Sequence, residues 1–167
     1  MLQYLITCKE VHELTRKMSI HIENDKMDAF IREAENLDVK PVIGDGLFIA
    51  LHKDYERFTA LLNGGVYENE NGELKSFTGL KTALSYFVYA RLVRNNDGQV
   101  TRMGFVNKDN DHSTRASELE RERIYNDAVA IARRYMHECM DFIRQDKECT
   151  SCCGTKPQTG RYKVLGD

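Results

Sequence analysis

The sequence predicts a mostly α fold: a compact bundle of four to five helices, with one or two projecting loops or hairpins and an extended C-terminal tail. Apolar residues recur at helical spacing in several segments, most clearly from Tyr125 to Phe142. Only two prolines, Pro41 and Pro157, interrupt the chain. At 167 residues, with 41% hydrophobic and 30% charged side chains, it fits one ordinary globular domain. That domain is expected over residues 1–146, with 147–167 as the tail.

The first 23 residues are ambiguous. Leu2, Tyr4 and Ile6 alternate like a short strand, whereas Val11, Leu14 and Met18 suit a helical turn. Asn24 and Asp25 are good N-caps, and Met27, Phe30, Ile31, Ala34 and Leu37 predict an inward helical face over about 25–37. Pro41 suits the first turn of a second helix, with Val42, Ile43, Leu47, Phe48 and Leu51 as its apolar positions. Gly44 and Gly46 weaken that helix by roughly 1 kcal/mol each relative to Ala. Asp54 is placed to cap a third, short helix with Tyr55, Phe58, Leu61 and Leu62 inward, and Asn63-Gly64-Gly65 stops it. Val66–Phe77 is a polar excursion around Asn71-Gly72, a two-residue hairpin signal.

Leu80–Val93 poses a conflict. Tyr86-Phe87-Val88-Tyr89 favours strand by propensity. The run is too long for an average strand, however, and Lys81, Ser85 and Arg91 interrupt it without alternation. A helix capped by Thr78 and apolar around most of its circumference resolves the conflict. The closing helix is unambiguous. Ser117 and Glu120 form a capping box, and Tyr125, Ala128, Ala132, Tyr135, Cys139 and Phe142 make one seam to about residue 146.

The net charge of −2 argues against a general electrostatic grip on DNA or anionic lipid. No apolar run approaches the ~18 residues of a membrane span. The N-terminus lacks a charged leader and a small-residue cleavage site, so no signal peptide is expected. Five cysteines, with Cys8 and Cys139 in apolar-periodic surroundings, suggest a reducing compartment. Cys149, Cys152 and Cys153 resemble half of a zinc site, but His137 and Cys139 point to different helix faces and do not complete it. An exposed cysteine cluster on a loose tail is the expectation, with no metal or cofactor. No nucleophile–base pair, no histidine ligand spacing and no phosphate-cradling loop stands out, so no catalytic residue is assigned and the chain is expected not to be an enzyme.

Between the two strongest helices lies a polar arm, Asn95 to Ser113, with an apolar knot at Met103-Gly104-Phe105-Val106. A long arm of this kind usually has a function. Met103 and Phe105 have nothing local to cover them, which suits a plug for a neighbouring protein. Arg94, Arg102 and Lys108 are then candidates for pairing with acidic rims.

IENDKMDAFIREAENLDVKPVIGDGLFIAL (22–51) resembles the opening of tailed-phage head–tail connector (neck adaptor) proteins. These share an extended lead-in, a helix, a short Asp/Leu-Lys-Pro link and a Gly-containing second helix. Tyr67 to Arg94, with its Phe77-Thr78-Gly79-Leu80-Lys81 start, continues the pattern. VTRMGFVNKDNDHST (100–114) and the closing YNDAVAIARRYMHECMDFI helix are most similar to the ring proteins of crAss-like phages. The resemblance covers about residues 1–146. It implies a subunit of a closed, twelvefold ring beneath the portal, in the virion neck. Its expected partners are sister subunits, the portal and further neck or tail proteins, with DNA passing through the lumen and assembly in the host cytoplasm. The alternative from the residues is a small helical regulatory or nucleic-acid-associated module, stabilised by zinc through the Cys-rich tail.

Replacing Phe105 with Ser is expected to leave the melting of the isolated chain nearly unchanged while abolishing association with portal or sister subunits. Thermal melting beside a pull-down with portal checks this, and unfolding of the monomer would make the arm part of the core instead.

Overall fold

The computed structural model describes residues 4–18, 24–95, 98–101, 104–107 and 117–152. The chain begins with Leu5 and Ile6 buried in an irregular segment rather than a strand. It then enters α1 (Cys8–Leu14) through a capping box: the Glu10 amide donates to the Thr7 hydroxyl at 3.3 Å, and the Glu10 carboxylate accepts from the Thr7 amide at 2.8 Å.

The next segment is helical for twenty residues but changes pitch twice. α2 (Asn24–Ala34) passes into a π-helical turn at Glu35–Val39, and α3 (Lys40–Ile43) resumes the α pitch. A π turn takes up more residues than an α turn, so it shifts the phase of everything that follows. Glu35 and Val39 therefore face the core, while Leu37, expected inward, is 64% exposed. Val42 is likewise outward. Pro41 does sit in the first turn of α3. The expected second helix is split at Gly44, whose φ of 84° breaks it before α4 (Asp45–Lys53). A 3₁₀ turn at Tyr55–Phe58 and α5 (Thr59–Asn63) then bury Phe58, Leu61 and Leu62, but Tyr55 faces outward and Asp54 makes no side-chain cap.

β1 (Gly65–Glu68) and β2 (Leu74–Phe77) pair antiparallel, with Gly65 opposite Phe77 and Glu68 opposite Leu74. The turn is longer than Asn71-Gly72 alone predicts. Asn69 organises it: its carbonyl accepts from the Gly72 amide at 2.9 Å, and its side-chain oxygen accepts from the amides of Asn71 and Glu73. Gly72, at φ 78°, supplies the left-handed residue that closes such a loop. The hairpin base is tight. Gly64 (φ 82°) and Gly79 (φ 88°) lie backbone against backbone, so a Cβ on Gly64 would stand 2.5 Å from the Phe77 carbonyl oxygen.

α6 (Leu80–Asn95) is a helix, as length and lack of alternation predict, and no residue from Leu80 to Val93 is fully exposed. It starts after Gly79, and Thr78 contributes its carbonyl, which accepts from the Thr82 hydroxyl at 3.0 Å. Within the expected unstructured arm the backbone forms a second hairpin, β3 (Gly98–Thr101) with β4 (Gly104–Asn107), Val100 opposite Phe105.

α7 (Glu118–Gln145) begins at the expected Ser117/Glu120 capping box and packs along α6. Its fully buried line is Ala128, Ala132, Met136, Cys139 and Ile143; Tyr135 and Phe142 are only half-buried. The fold does not stop at residue 146. α8 (Lys147–Cys152) returns Cys149 to the core, so this cysteine is part of the packing rather than of an exposed cluster. Cys153 and the remainder of the expected tail lie outside the described residues. None of the described helices is long and apolar enough to cross a membrane.

Gly79→Ala should destabilise the protein by on the order of 2–4 kcal/mol, because it adds left-handed strain to a backbone clash. Gly65→Ala, with nothing within 4 Å of the new Cβ, should stay within about 0.5 kcal/mol. Chemical denaturation of both variants checks the contrast, and equal effects would mean Gly79 is not packed against Gly64.

Candidate functional site

Glu35 is the one acidic side chain fully inside the described fold. It opens the π turn, one helical turn after the buried Ile31, and its Oε1 accepts from the Leu5 amide at 2.6 Å. Its Oε2 lies 3.8 Å from Nε2 of His52 on α4, and both side chains are only 3% exposed. The His52 ring packs edge-on against Phe48, with centroids 4.6 Å apart. Removal from water pushes the Glu35 carboxyl up to about 7. Enclosed in this way, the pair ties the N-terminal segment and α4 to the π turn. Burial likewise pushes the thiols of Cys8 and Cys139 up, to about 11 and about 12, which favours their protonated form. Among the described residues no group of three or more His, Cys, Asp and Glu is placed to hold a metal ion.

The remaining candidates are surfaces. The exposed side of the π turn and α3 faces α7 across a groove of about 470 Å³. Leu37, Pro41, Val42, Phe87, Met136 and Met140 give it an apolar floor and walls. Arg133, His137 and Arg144 stand at its rim. Asp38 also lines the groove, and Asp141 stands beside its rim. Asp38 pairs with Arg91 at 2.6 Å, and Asp141 pairs with Arg144 at 3.0 Å and His137 at 3.4 Å.

The β1–β2 hairpin offers the opposite surface chemistry. Strand alternation turns Tyr67 and Phe77 toward Phe142, with ring centroids at 5.3 and 4.5 Å. The other face therefore presents Val66 and Leu74, 69% and 77% exposed. Glu68, Glu70 and Glu73 surround that face and its turn, against a single Lys75.

Of the residues the sequence proposes for an interface, Arg94 ends α6 and lies over the Tyr125 ring of α7 at 5.0 Å. With Glu118, Arg121 and Glu122 it lines a polar cleft at the base of the arm. Phe105 lies in β4, opposite Val100, and its side chain is outside what is described. Arg102, Met103 and Lys108 lie outside the described residues. Sequence reading missed the groove, because its floor depends on the phase shift at the π turn. It also missed Glu35, because a carboxylate reads as solvent-facing by residue type although it stands four residues after the buried Ile31.

Residues 39–158 match a family described as a family of unknown function (DUF6712). No curated protein matches the chain, and no solved structure matches it.

The raised value of Glu35 makes stability depend on pH in a defined direction. A carboxyl held higher in the fold than in the unfolded chain favours the protonated form. That contribution is complete below the ordinary value of 4.5 and is lost as pH rises through about 7. Glu35→Gln keeps an acceptor for Leu5 and cannot ionise. It should flatten the fall in melting temperature between about pH 5 and about pH 8, and stabilise the protein at the upper end by on the order of 1–3 kcal/mol. Parallel pH slopes for the variant and the parent would assign the titration elsewhere.

Proposed function

We propose that this chain, which belongs to the family of unknown function (DUF6712), is a structural subunit of a phage head–tail connector. In this reading twelve copies close into a ring between portal and tail, and DNA passes through the lumen. The ring assembles in the host cytoplasm and ends in the virion neck, and it carries out no catalysis.

The observation that carries the reading is where the apolar surface lies. Val66 and Leu74 stand on a projecting hairpin, Leu119 is 78% exposed at the start of α7, and Leu37 stands out of the π turn. These are three separate places on a helical body. Scattered single apolar residues need no explanation, but Val66 and Leu74 share one exposed face of the hairpin, and grouped apolar side chains of that kind suit a contact site. A ring subunit meets two neighbours through non-equivalent surfaces and further partners above and below. α7 supports that geometry, since 28 residues at ~1.5 Å each give a continuous strut of about 42 Å. The net charge of −2 is favourable for a conduit, because a strongly basic lumen would hold DNA rather than let it slide. The resemblance of residues 22–51 and 100–114 to connector and ring proteins supports the same reading.

The full chain should form closed rings of defined copy number when mixed with its portal protein, seen by native mass spectrometry and electron microscopy. A chain that stays monomeric and does not bind portal at any concentration tested would overturn the proposal.

A further inference from the structure

The hairpin and the groove stand on opposite flanks of the same half of α7. Phe142 faces the hairpin. At ~100° per residue, Arg133, Met136, His137, Met140 and Arg144 lie between about 120° and 180° around the helix from Phe142. These five line the groove. Each copy therefore carries a raised apolar patch on one side and an apolar recess on the other.

The charges around the two surfaces are complementary. The hairpin has three glutamates against one lysine. At the groove, Arg91 engages Asp38 and Glu33, and among the described residues Arg133 and Arg144 stand at the rim against Asp141, which also contacts His137. A basic rim around an apolar floor suits an acidic, apolar insert. The chain itself supplies one: the Val66–Leu74 face with Glu68 beside it and Glu70 and Glu73 at the turn.

We infer that the β1–β2 hairpin of one copy docks its Val66–Leu74 face into the Leu37–Val42–Met140 groove of the next copy. The contact is heterologous, head to tail, with Glu68, Glu70 and Glu73 meeting the Arg133–Arg144 rim. It rests on the ring reading and names the contact that joins neighbouring subunits. Because donor and acceptor are different surfaces, a row of docked copies always leaves one of each free at its ends, and the series ends only by closing.

The test uses the full chain and two variants at exposed positions, Leu74→Asp on the hairpin and Leu37→Asp in the groove. Both should melt as the parent does, and Val66→Asp with Val42→Asp provides a second pair should either fold poorly. Each variant alone should be monomeric by light scattering coupled to gel filtration. Mixed, they should form a one-to-one dimer and nothing larger, because the Leu74→Asp copy keeps an intact groove and the Leu37→Asp copy keeps an intact hairpin. Rings that persist in both single variants overturn this contact and leave the ring reading standing. Loss of assembly in only one variant, or a mixture that stays monomeric, overturns the pairing of these two surfaces. Open filaments in the parent, abolished by both variants, would keep the contact and refute the closed ring. A parent that assembles neither alone nor with its portal protein overturns both.

Discussion

The structure depends on covering α6. A helix with no exposed residue from Leu80 to Val93 has no side to give to water, so other elements must enclose it. α7 runs along it, and α1, α2 and α5 close the remaining sides. Charges inside such an enclosure are tolerated only with partners. Lys81, near the start of α6, reaches Glu10 of α1 and lies 5.2 Å from the Tyr55 ring centroid. Arg91, near the end, meets Asp38 of the π turn at 2.6 Å and Glu33 at 3.8 Å. Ser85, between them, satisfies itself by donating to the Lys81 carbonyl at 2.7 Å. The covering elements are thus positioned by ion pairs at both ends of the helix they hide.

The π turn is the second determinant, and it acts through phase. Placing Glu35 inward gives the Leu5 amide an acceptor and draws the N-terminal segment onto the bundle. The same shift brings Asp38 to Arg91 and sends Leu37 outward. One irregular turn therefore builds a buried acid, an ion pair and one wall of the groove. π turns of this kind are frequent at functional sites because they redirect side chains without ending the helix.

This explains which parts were legible from the residues. α7 was, because Ser117 and Glu120 mark its start and a seam of small and apolar residues follows. α6 was, because a long run without alternation outweighs the strand propensity of Tyr86-Phe87-Val88-Tyr89. Thr7 and Glu10 carry the same capping signal as Ser117 and Glu120, yet the alternation of Leu2, Tyr4 and Ile6 obscured it. The hairpin was foreseen from Asn71-Gly72, but Asn69, two residues earlier, captured the turn with its side chain. α8 was hidden because its inward positions, Cys149 and Cys152, are cysteines, which behave here as small hydrophobes and read as a metal motif. The groove was invisible for a deeper reason. A π insertion has no local sequence signature, and a strict 3.6-residue count places Leu37 and Val42 in the core. Of the interface residues proposed from the arm, only Arg94 has a described side chain, and its contact is with Tyr125 of its own chain.

Closure of a ring at one size requires the angle between successive subunits to be fixed, and that angle is set inside each subunit by whatever joins donor to acceptor surface. In the head-to-tail reading the joining element is the last three turns of α7. The hairpin is held to that segment by the Phe77–Phe142 stack at 4.5 Å and by Tyr67, while the groove is formed by the opposite side of the same turns. α8 holds the end of the segment in place: the Asp146 carboxylate accepts from the Cys149 amide at 3.3 Å, and Cys149 returns to the core. In the head-to-tail reading, a change at Phe142 alters the angle between neighbours without touching either contact surface. Phe142, half-buried and in neither contact face, is then the residue through which ring size is set, because docking residues decide whether copies associate and the residue between them decides how many copies close.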